Sequence, residues 1–455
     1  MHDRIARSFW IDRAPKRVAQ PSLHGNQHTD LLIIGGGYTG LWTALLAAER
    51  EPGRRITLLE GGTIGHAASG RNGGFVEPSI SHGIGNALER WPDQASEIAR
   101  ISEDNFAAMR ADIERLGIDC DWSEAGNLTF ARTQWQADAL EEFAPEATAH
   151  GEPTTFIGAD RIGEFTKSPA YVAATHTSAG ATVDPYKLAL GLLEAVLAAG
   201  VEVCEHSIVR RLDHASELRA HTERGSIRAK QVVLATNAYP SLLRRLAGVT
   251  VPVYDYALMT EPLSEEQFAS IGWTGQEGLS DAGNQFHYYR KTDDGRILWG
   301  GYDAVYYFGS RRSEALTQRA ETFATLERNF FATYPQLRGV RFTHQWGGMI
   351  DTSTQFCVTS DVVSRGRIAY AVGFTGLGVA ATRFGAQVML DQLAGEQTDR
   401  LVLDLVRKHP LRFPPEPARA LGVNVSRWSM AREDETGRRN LWLRTMDAVG
   451  LGFDS

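Results

Sequence analysis

The sequence predicts an α/β fold in which a parallel-sheet domain, built from three separate segments, is interleaved with an α+β domain that contains an antiparallel sheet. A strand, a glycine turn and a helix follow one another at residues 31–48. A continuous apolar strand at residues 231–236 is typical of parallel sheets, which are buried on both faces. Two strands within residues 285–301 are joined by Asp-Asp-Gly, a hairpin signal. With 455 residues, the chain can form two or three domains.

The first strand–turn–helix unit carries the spacing G-x-G-x-x-G at Gly35, Gly37 and Gly40. In such a unit the first glycine makes the tight turn, the second lets backbone approach a pyrophosphate, and the third lets helix and strand pack closely. A second strand ends on Glu60, where a carboxylate would accept hydrogen bonds from ribose hydroxyls and disfavour a 2′-phosphate. The alternative is a βαβ unit with chance glycines. The unit therefore predicts a dinucleotide site that does not take NADP.

The later elements follow from local signals. Asp184-Pro185 predicts a helix start, because Asp can cap and Pro is preorganised for the first turn. Helices are also predicted near residues 98–113 and 316–331, and a second strand–glycine loop–helix unit contains Gly376. The predicted domains are an N-terminal arm (1–29), a discontinuous cofactor domain (30–90, 175–250 and 340–396), a substrate domain (91–174 and 251–339) and a C-terminal tail (397–455).

Composition excludes several classes of protein. The net charge is −8, from 55 acids and 47 bases, and no basic run offers a surface for nucleic acid or an anionic membrane. The three cysteines are widely spaced, which argues against a disulfide framework and fits a reducing compartment. The N-terminus lacks the apolar core of a signal peptide, and the most apolar window contains four glycines. We therefore expect a soluble, cytoplasmic protein without membrane insertion.

A family resemblance rests on several motifs taken together. After GGGYTG and LLE comes ASGRNGGF at residues 68–75, and QVVLATNAY, DGRILWGGYD, QWGG and GFTGLGVAATRFG follow in order. These motifs resemble the D-amino-acid-oxidase-like family of FAD-dependent amine oxidoreductases, and within it the gamma-glutamylputrescine oxidase-like branch. The resemblance implies an FAD-binding, Rossmann-like domain of the glutathione-reductase type.

The resemblance also implies which residues hold FAD. The glycine turn would hold the pyrophosphate, and Glu60 would bind the ribose. Val209 would contact the adenine through its backbone, and the ASGRNGG loop would hold the flavin end. Backbone N–H groups of the second glycine loop would face the flavin pyrimidine edge, where reduced flavin carries negative charge. The implied cofactor residues are Gly35, Gly37, Tyr38, Thr39, Gly40, Glu60, Gly61, Ser69, Arg71, Asn72, Gly73, Gly74, Val209, Thr236, Asn237, Gly376, Leu377 and Gly378. No metal is expected.

Three positions depart from patterns known in related flavoproteins. His66 stands near a histidine that is covalently linked to flavin in some relatives, so it is either such a link or a flavin-adjacent or solvent-facing side chain. Cys357 lies in a region where other relatives carry a cysteinyl flavin, and we interpret it as a buried structural thiol. Fast-reacting oxidases often keep a lysine on the second hairpin strand, where this chain has residues 297–299, Ile-Leu-Trp. Oxygen and another electron acceptor therefore both remain open.

Four side chains are candidates for the substrate cavity, because they lie on strands that should roof the flavin: Tyr256, Tyr288, Arg290 and Trp346. Core packing is the alternative for the aromatic residues. Arg290 could bind a carboxylate or pair with an acid of the inserted domain. Asp351 could meet a substrate ammonium, although an exposed turn acid is the favoured interpretation.

The implied reaction is oxidation of an amine C–N bond. A neutral amine would lose hydride to flavin N5, and the imine would then hydrolyse. The alternatives are oxidation of an amino acid or N-methyl amino acid of the sarcosine, glycine or D-amino-acid type, and a flavin-binding subunit without turnover. A flavin monooxygenase is disfavoured, since no second NAD(P)H-binding glycine motif is present. The particular amine and the oligomeric state stay open.

Overall fold

The structure is a computed structural model that describes residues 4–452. Its α-helices are α1 (Phe9–Arg13), α2 (Tyr38–Arg50), α3 (Gly83–Arg90), α4 (Ala95–Arg115), α5 (Gln134–Ala149), α6 (Pro185–Ala198), α7 (Glu265–Ile271), α8 (Ala320–Thr333), α9 (Gly378–Ala394), α10 (Asp399–Val402), α11 (Asp404–Arg407), α12 (Ala418–Thr436) and α13 (Leu441–Ala448). Its strands are β1 (Gly25–Ile34), β2 (Ile56–Leu59), β3 (Phe75–Val76), β4 (Asn127–Ala131), β5 (Thr154–Ile157), β6 (Ala173–Thr177), β7 (Ala181–Thr182), β8 (Glu202–Cys204), β9 (Arg211–Asp213), β10 (Leu218–His221), β11 (Gly225–Leu234), β12 (Thr250–Thr260), β13 (Gly278–Asp281), β14 (His287–Lys291), β15 (Ile297–Gly301), β16 (Val305–Tyr306), β17 (Phe342–Ser353), β18 (Thr359–Val363) and β19 (Ile368–Val372).

The first sheet has the strand order β18-β19-β11-β1-β2-β8, and the five strands from β19 to β8 run parallel. Strands β18, β10 and β9 add antiparallel pairs. Side chains alternate between the two faces of β1, so Leu31 and Ile33 pack under α2, α6 and α9, whereas Leu32 and Ile34 pack toward β9 and β10. Both faces of this sheet are therefore covered, which explains its continuous apolar strands.

The second sheet has the order β16-β12-β15-β14-β13-β4-β6-β5, and β17 also pairs with β12. Its pairs are antiparallel except for β13 with β4. One face packs on α8, through Tyr254, Tyr256 and Leu258. The opposite face carries Ala257 and Met259 and turns toward the first sheet. The predicted combination of a Rossmann-like α/β unit and an antiparallel sheet is confirmed.

Several predicted elements have the expected bounds. Helix α6 begins at the predicted Pro185, with Asp184 as its cap. The Asp184 carboxylate accepts hydrogen bonds from the backbone N–H groups of Tyr186 and Lys187, at 2.9 and 3.0 Å. Strands β14 and β15 form the predicted hairpin. These elements depend on local signals, namely a cap, a turn and side-chain alternation.

The sheets do not follow the predicted domain boundaries everywhere. Strand β17 pairs along its length with β12 of the second sheet, although residues 340–396 were assigned to the cofactor domain. The chain returns to the first sheet only at β18, because the turn that follows Ser353 carries it across. Strand β1 begins at Gly25, inside the predicted arm of residues 1–29. The domain division itself stays a prediction.

The C-terminal tail is packed against both parts of the fold. Leu403, Leu405 and Val406 join the core beside α9. Further on, α12 reaches the second sheet, where the Asp434 carboxylate accepts hydrogen bonds from the backbone N–H groups of Asn284 and of the residue after it, both at 2.8 Å. Among residues 4–452, we find no helix long and apolar enough to cross a membrane.

Candidate active site

The glycine turn after β1 shows why glycine is needed there. Gly35 has φ +115°, and a Cβ on it would lie 2.2 Å from the carbonyl oxygen of Ala235. A Cβ on Gly40 would lie 1.8 Å from the carbonyl oxygen of Gly35. At Gly37, by contrast, the nearest atom to a Cβ would be the Ser69 Oγ at 3.1 Å. The turn is thus closed toward the sheet, and Gly37 leaves room before the N-terminus of α2, where a phosphate binds favourably.

The predicted ribose acid stands at the end of β2. The Glu60 carboxylate accepts hydrogen bonds from the backbone N–H groups of Gly36 and Gly62, both at 2.7 Å. The segment that follows β8 contacts the end of β2, because the backbone N–H of Ser207 donates to the Glu60 carbonyl. Val209 lies in this irregular segment, outside the strands. Its position still suits a backbone contact with an adenine.

His66 lies at the ribose end of the site. Its Nδ1 is 2.8 Å from the carbonyl oxygen of Thr63 and 3.6 Å from a carboxylate oxygen of Glu60. This surrounding is polar and adjoins the residues expected to hold the adenosine half. Cys357 is a free, buried thiol, and burial raises its pKa to about 12. Cys357 is thus buried as expected, and its structural role stays a prediction.

The ASGRNGG loop is held by its own side chains. The Ser69 hydroxyl accepts a hydrogen bond from the Tyr38 N–H at 3.0 Å and so ties the loop to the start of α2. The Asn72 side-chain oxygen accepts one from the Gly74 N–H at 2.8 Å. Trp346 donates from Nε1 to the carbonyl of the intervening arginine at 2.8 Å. The second sheet therefore fastens the loop that the resemblance places at the flavin end.

The second glycine loop presents a helix N-terminus. Gly376 has φ +93°, and α9 begins at Gly378 with Leu377 as its N-cap residue and no capping side chain. Behind the loop, the Asp351 carboxylate accepts a hydrogen bond from the Gly373 N–H at 2.5 Å. Asp351 lies inside β17 and is only 1% exposed, so the interpretation as an exposed turn acid was wrong. Burial raises its pKa to about 7.

A cavity of about 1570 Å³ is lined by the start of α2, the ASGRNGG loop, the second glycine loop and the second sheet, and not by Gly35, Gly37 or Glu60. The predicted cofactor residues that line it are Tyr38, Ser69, Arg71, Asn72, Gly73, Asn237, Gly376, Leu377 and Gly378. The other predicted cofactor residues stand just past β1, β2, β8 and β11 or in the loop that follows Asn72. Ligands of open α/β sheets bind at the carboxyl ends of parallel strands. The cavity exceeds a usual ligand pocket of roughly 300–1,000 Å³, as a long cofactor together with a substrate requires.

Two of the four predicted substrate residues point into the region between the domains. Tyr288 lines the cavity and keeps accessible surface there. Trp346 also lines the cavity, although its ring is almost fully buried among Phe9, Trp10 and Leu298. Its indole N–H is used by the ASGRNGG loop, so Trp346 supports that loop rather than offering a free donor.

Arg290 and Tyr256 do not have the predicted orientation. Arg290 is 4% exposed and donates to the carbonyl oxygens of Val183, at 2.5 Å, and Gly74, at 3.3 Å. Burial lowers its pKa to about 10. Its guanidinium joins two backbone segments and is turned away from the cavity, which contradicts the carboxylate-binding role. Tyr256 borders the cavity, but its hydroxyl donates to the Leu316 carbonyl at 2.8 Å, on the α8 side of the sheet.

Asp255 is a cavity-lining carboxylate that the sequence interpretation missed. It lines the cavity, and its carboxylate accepts a hydrogen bond from the Tyr288 hydroxyl at 2.5 Å. Burial raises its pKa to about 6. The alternation along β12 could have found it, because Asp255 and Ala257 share one face whereas Tyr256 points to the other.

The tail also contributes to the cavity, which no motif indicated. Helices α12 and α13 supply an outer wall that is largely apolar. Its residues include Leu421, Val425, Ser426, Met430, Trp442, Leu443 and Met446. Trp442 donates from Nε1 to the hydroxyl of Ser426 at 2.9 Å, which joins the two helices. The substrate side of the cavity is thus completed by the end of the chain.

A parallel sheet with a glycine turn after its first strand, an acid at the end of the next strand, and two helix N-termini beside a cavity define a dinucleotide-binding α/β protein with an inserted second sheet. The model of the family described as FAD dependent oxidoreductase (DAO) matches residues 30–392. The chain belongs to this family. It is an enzyme, and its cofactor is FAD.

Individual relatives agree with the family. Over 399 residues the chain is 30% identical to gamma-glutamylputrescine oxidoreductase of Escherichia coli (strain K12), covering 86% of this chain and 89% of that protein. It is 27% identical over 399 residues to the probable oxidoreductase OrdL of Haemophilus influenzae, covering 86% and 88%. Glycine oxidase from Geobacillus kaustophilus has the same fold, with a TM-score of 0.69 at 21% identity, over 82% of this chain and 96% of that one.

Proposed function

We propose that this enzyme oxidises the carbon–nitrogen bond of a primary or secondary amine of the gamma-glutamylputrescine type. The observation that carries the proposal is the orientation of Arg290. An amino-acid oxidase would need a cation beside the substrate carboxylate, and Arg290 is instead committed to two backbone carbonyls. Asp255 and Tyr288, two polar residues of the second sheet that line the cavity and keep accessible surface, suit a cationic amine. The similarity to gamma-glutamylputrescine oxidoreductase supports the same class.

The cofactor supplies the redox chemistry, since bound FAD accepts a hydride at N5. The chain supplies position and electrostatics. The N-terminus of α9 directs N–H groups and a partial positive charge at the cavity, where they would stabilise negative charge on the pyrimidine edge. The apolar wall formed by α12 and α13 favours an uncharged amine over its ammonium form by desolvation. Loss of hydride from the carbon next to nitrogen leaves an imine, which water converts to an aldehyde and an amine or ammonia.

A second candidate is an amino acid or N-methyl amino acid. Arg71 favours it, because this residue lines the cavity beside the flavin loop. Its guanidinium already contacts the carboxylate of Glu314 at 2.8 Å and the carbonyl of Gly347 at 3.3 Å. Glu314 is exposed, so a substrate carboxylate could replace it. Arg71 is therefore the residue through which this candidate would act.

Anaerobic mixing of the FAD-bound enzyme with three substrate classes tests the proposal. We expect gamma-glutamyl amines or polyamines to bleach the flavin absorbance and N-methyl amino acids to leave it unchanged. Bleaching by amino acids alone would establish the second candidate, and no bleaching by any amine would refute the amine proposal. Admitting air then separates an oxidase from a dehydrogenase. Colour that stays with acid-precipitated protein would show a covalent link, for which His66 is the candidate.

A further inference from the structure

Asp255 and Tyr288 form a rigid pair where the inserted sheet meets the flavin loop. A Cβ on Gly73 would lie 2.8 Å from the Tyr288 ring, and a Cβ on Gly300 would lie 2.5 Å from it. Phe75 packs edge-on against the same ring, with 5.8 Å between centroids. Two glycines thus make the space that the ring fills. The ring in turn aims its hydroxyl at one oxygen of Asp255.

The carboxylate of Asp255 has no cationic partner among residues 4–452, in which no Lys, Arg or His side chain forms an ion pair with it. Arg71 lies nearest on the flavin loop, beside the β17 residue opposite Asp255, and it is paired with Glu314. Asp303, which follows β15 in the chain, is also negatively charged, and its charge raises the pKa of Asp255. A half-buried carboxylate without a nearby cation is energetically unfavourable, so a cation that entered the cavity would be stabilised by pairing with it.

Asp303 does not compete for a substrate cation. It is paired with Arg319 at 2.6 Å and with Arg427 of α12 at 3.2 Å. The acids near this wall therefore differ in what they can do. Asp303 connects the sheet to the tail, whereas Asp255 keeps surface open to the cavity.

We propose that Asp255 binds the ammonium group of the substrate and accepts its proton, while Tyr288 holds the carboxylate in place. This inference rests on the proposed amine oxidation and adds the group that prepares the substrate. It also narrows the substrate class to amines without a carboxylate on the reacting carbon, because a second anion would lie against Asp255.

The step balances without an added reactant. The N–H bond of the ammonium breaks, an O–H bond forms on Asp255, and the electron pair stays on nitrogen. That pair would then favour loss of hydride from the adjacent carbon, a step for which FAD would supply the acceptor. The Tyr288 hydroxyl donates to one carboxylate oxygen, backbone N–H groups of Tyr256 and Gly301 also act on the carboxylate, and the ammonium would approach it from the cavity. The raised pKa of Asp255, about 6, makes it a better proton acceptor than an ordinary aspartate and leaves it ionised at neutral pH.

The test is anaerobic stopped-flow reduction of the FAD-bound wild type, Asp255→Asn, Tyr288→Phe and Asp303→Asn across pH, using the substrate that bleaches the wild type. For Asp255→Asn we expect reduction at neutral pH to slow by about 100-fold, a usual loss when an acid–base group is removed. The rate should recover about tenfold for each pH unit as free amine becomes more abundant. Asp303→Asn removes a charge that raises the pKa of Asp255, so it should keep the reduction rate at neutral pH and move the rise of the rate with pH to lower pH.

Tyr288→Phe separates the proposal from a merely structural role. Loss of the donated hydrogen bond raises the pKa of the carboxyl, so the rise of the reduction rate with pH should move to higher pH. Wild-type rates and pH profile in Asp255→Asn would overturn the proposal. If that variant retains no FAD, an unchanged profile in Tyr288→Phe would overturn it instead. Failure of the wild type to bleach with any amine would refute the proposed function, which is a separate result.

Discussion

Asp351 provides a quantitative test of how the second glycine loop is held. Burial raises its pKa from 3.8 to about 7, a shift of about 3 pH units, and each unit corresponds to about 1.4 kcal/mol. Ionised Asp351 therefore costs the folded state on the order of 4 kcal/mol. The pKa of Asp351 is higher in the folded protein than in the unfolded chain. The protonated side chain therefore stabilises the folded state fully below about pH 4, and this stabilisation is lost as pH rises to about 7. Asp351→Asn keeps an oxygen that can accept the Gly373 N–H and cannot ionise.

The expected result is a pH-dependent difference between the two proteins. With both saturated with FAD, the free energy of unfolding of Asp351→Asn minus that of the wild type should grow by up to about 1.4 kcal/mol per pH unit between about pH 4 and pH 7, then level off. Urea unfolding followed by tryptophan fluorescence measures it. Asp399→Asn, at an exposed acid, is the control and should show no such trend. A difference that stays constant across this range would refute the argument that burial holds Asp351 neutral.

Three further predictions concern the cofactor turn, the tail and a helix cap. Gly40→Ala should abolish FAD binding, because its Cβ would lie only 1.8 Å from a backbone oxygen. Flavin absorbance per protein measures this loss. The control Gly163→Ala, whose Cβ would have no atom within 4 Å, should bind FAD normally. Trp442→Ala should raise KM roughly tenfold with unchanged flavin content, because loss of an aromatic side chain from the cavity wall weakens substrate binding by about 1 kcal/mol or more. Leu441→Ala, at an 81% exposed position, should leave KM unchanged. Asp184→Ala should lower the free energy of unfolding by about 1 kcal/mol more than Asp184→Asn, since asparagine can still cap α6; equal losses would show that the cap contributes little.

The cofactor half of the site was predictable because its requirements are local. Gly40 is required by its contact with Gly35 within one strand–turn–helix unit, and Glu60 follows at the end of the next strand. Such contacts depend on residues close in sequence, so spacing reveals them. The secondary structure around Asp184 was predictable for the same reason.

The substrate half was less predictable, because its contacts join distant segments. The orientation of Arg290 depends on carbonyl groups more than a hundred residues away at Val183 and more than two hundred away at Gly74. Likewise, β17 resembles the start of the cofactor segment that follows it, and only its pairing with β12 assigns it to the second sheet. The tail carries no motif, and its role as a cavity wall emerges from packing alone.

Which side of β12 faces the cavity decides the chemistry that the enzyme can perform. Tyr256 and Asp255 are neighbours in sequence, yet alternation places the tyrosine hydroxyl on the α8 side and the carboxylate on the cavity side. A shift of the strand by one residue would exchange an acid for a phenol on the cavity side. The register of β12 is fixed twice, by its long pairing with β17 and by its pairing with β15. We infer that this double pairing keeps a carboxylate at the substrate even though its burial is unfavourable, since a slip would also expose the apolar residues that pack on α8.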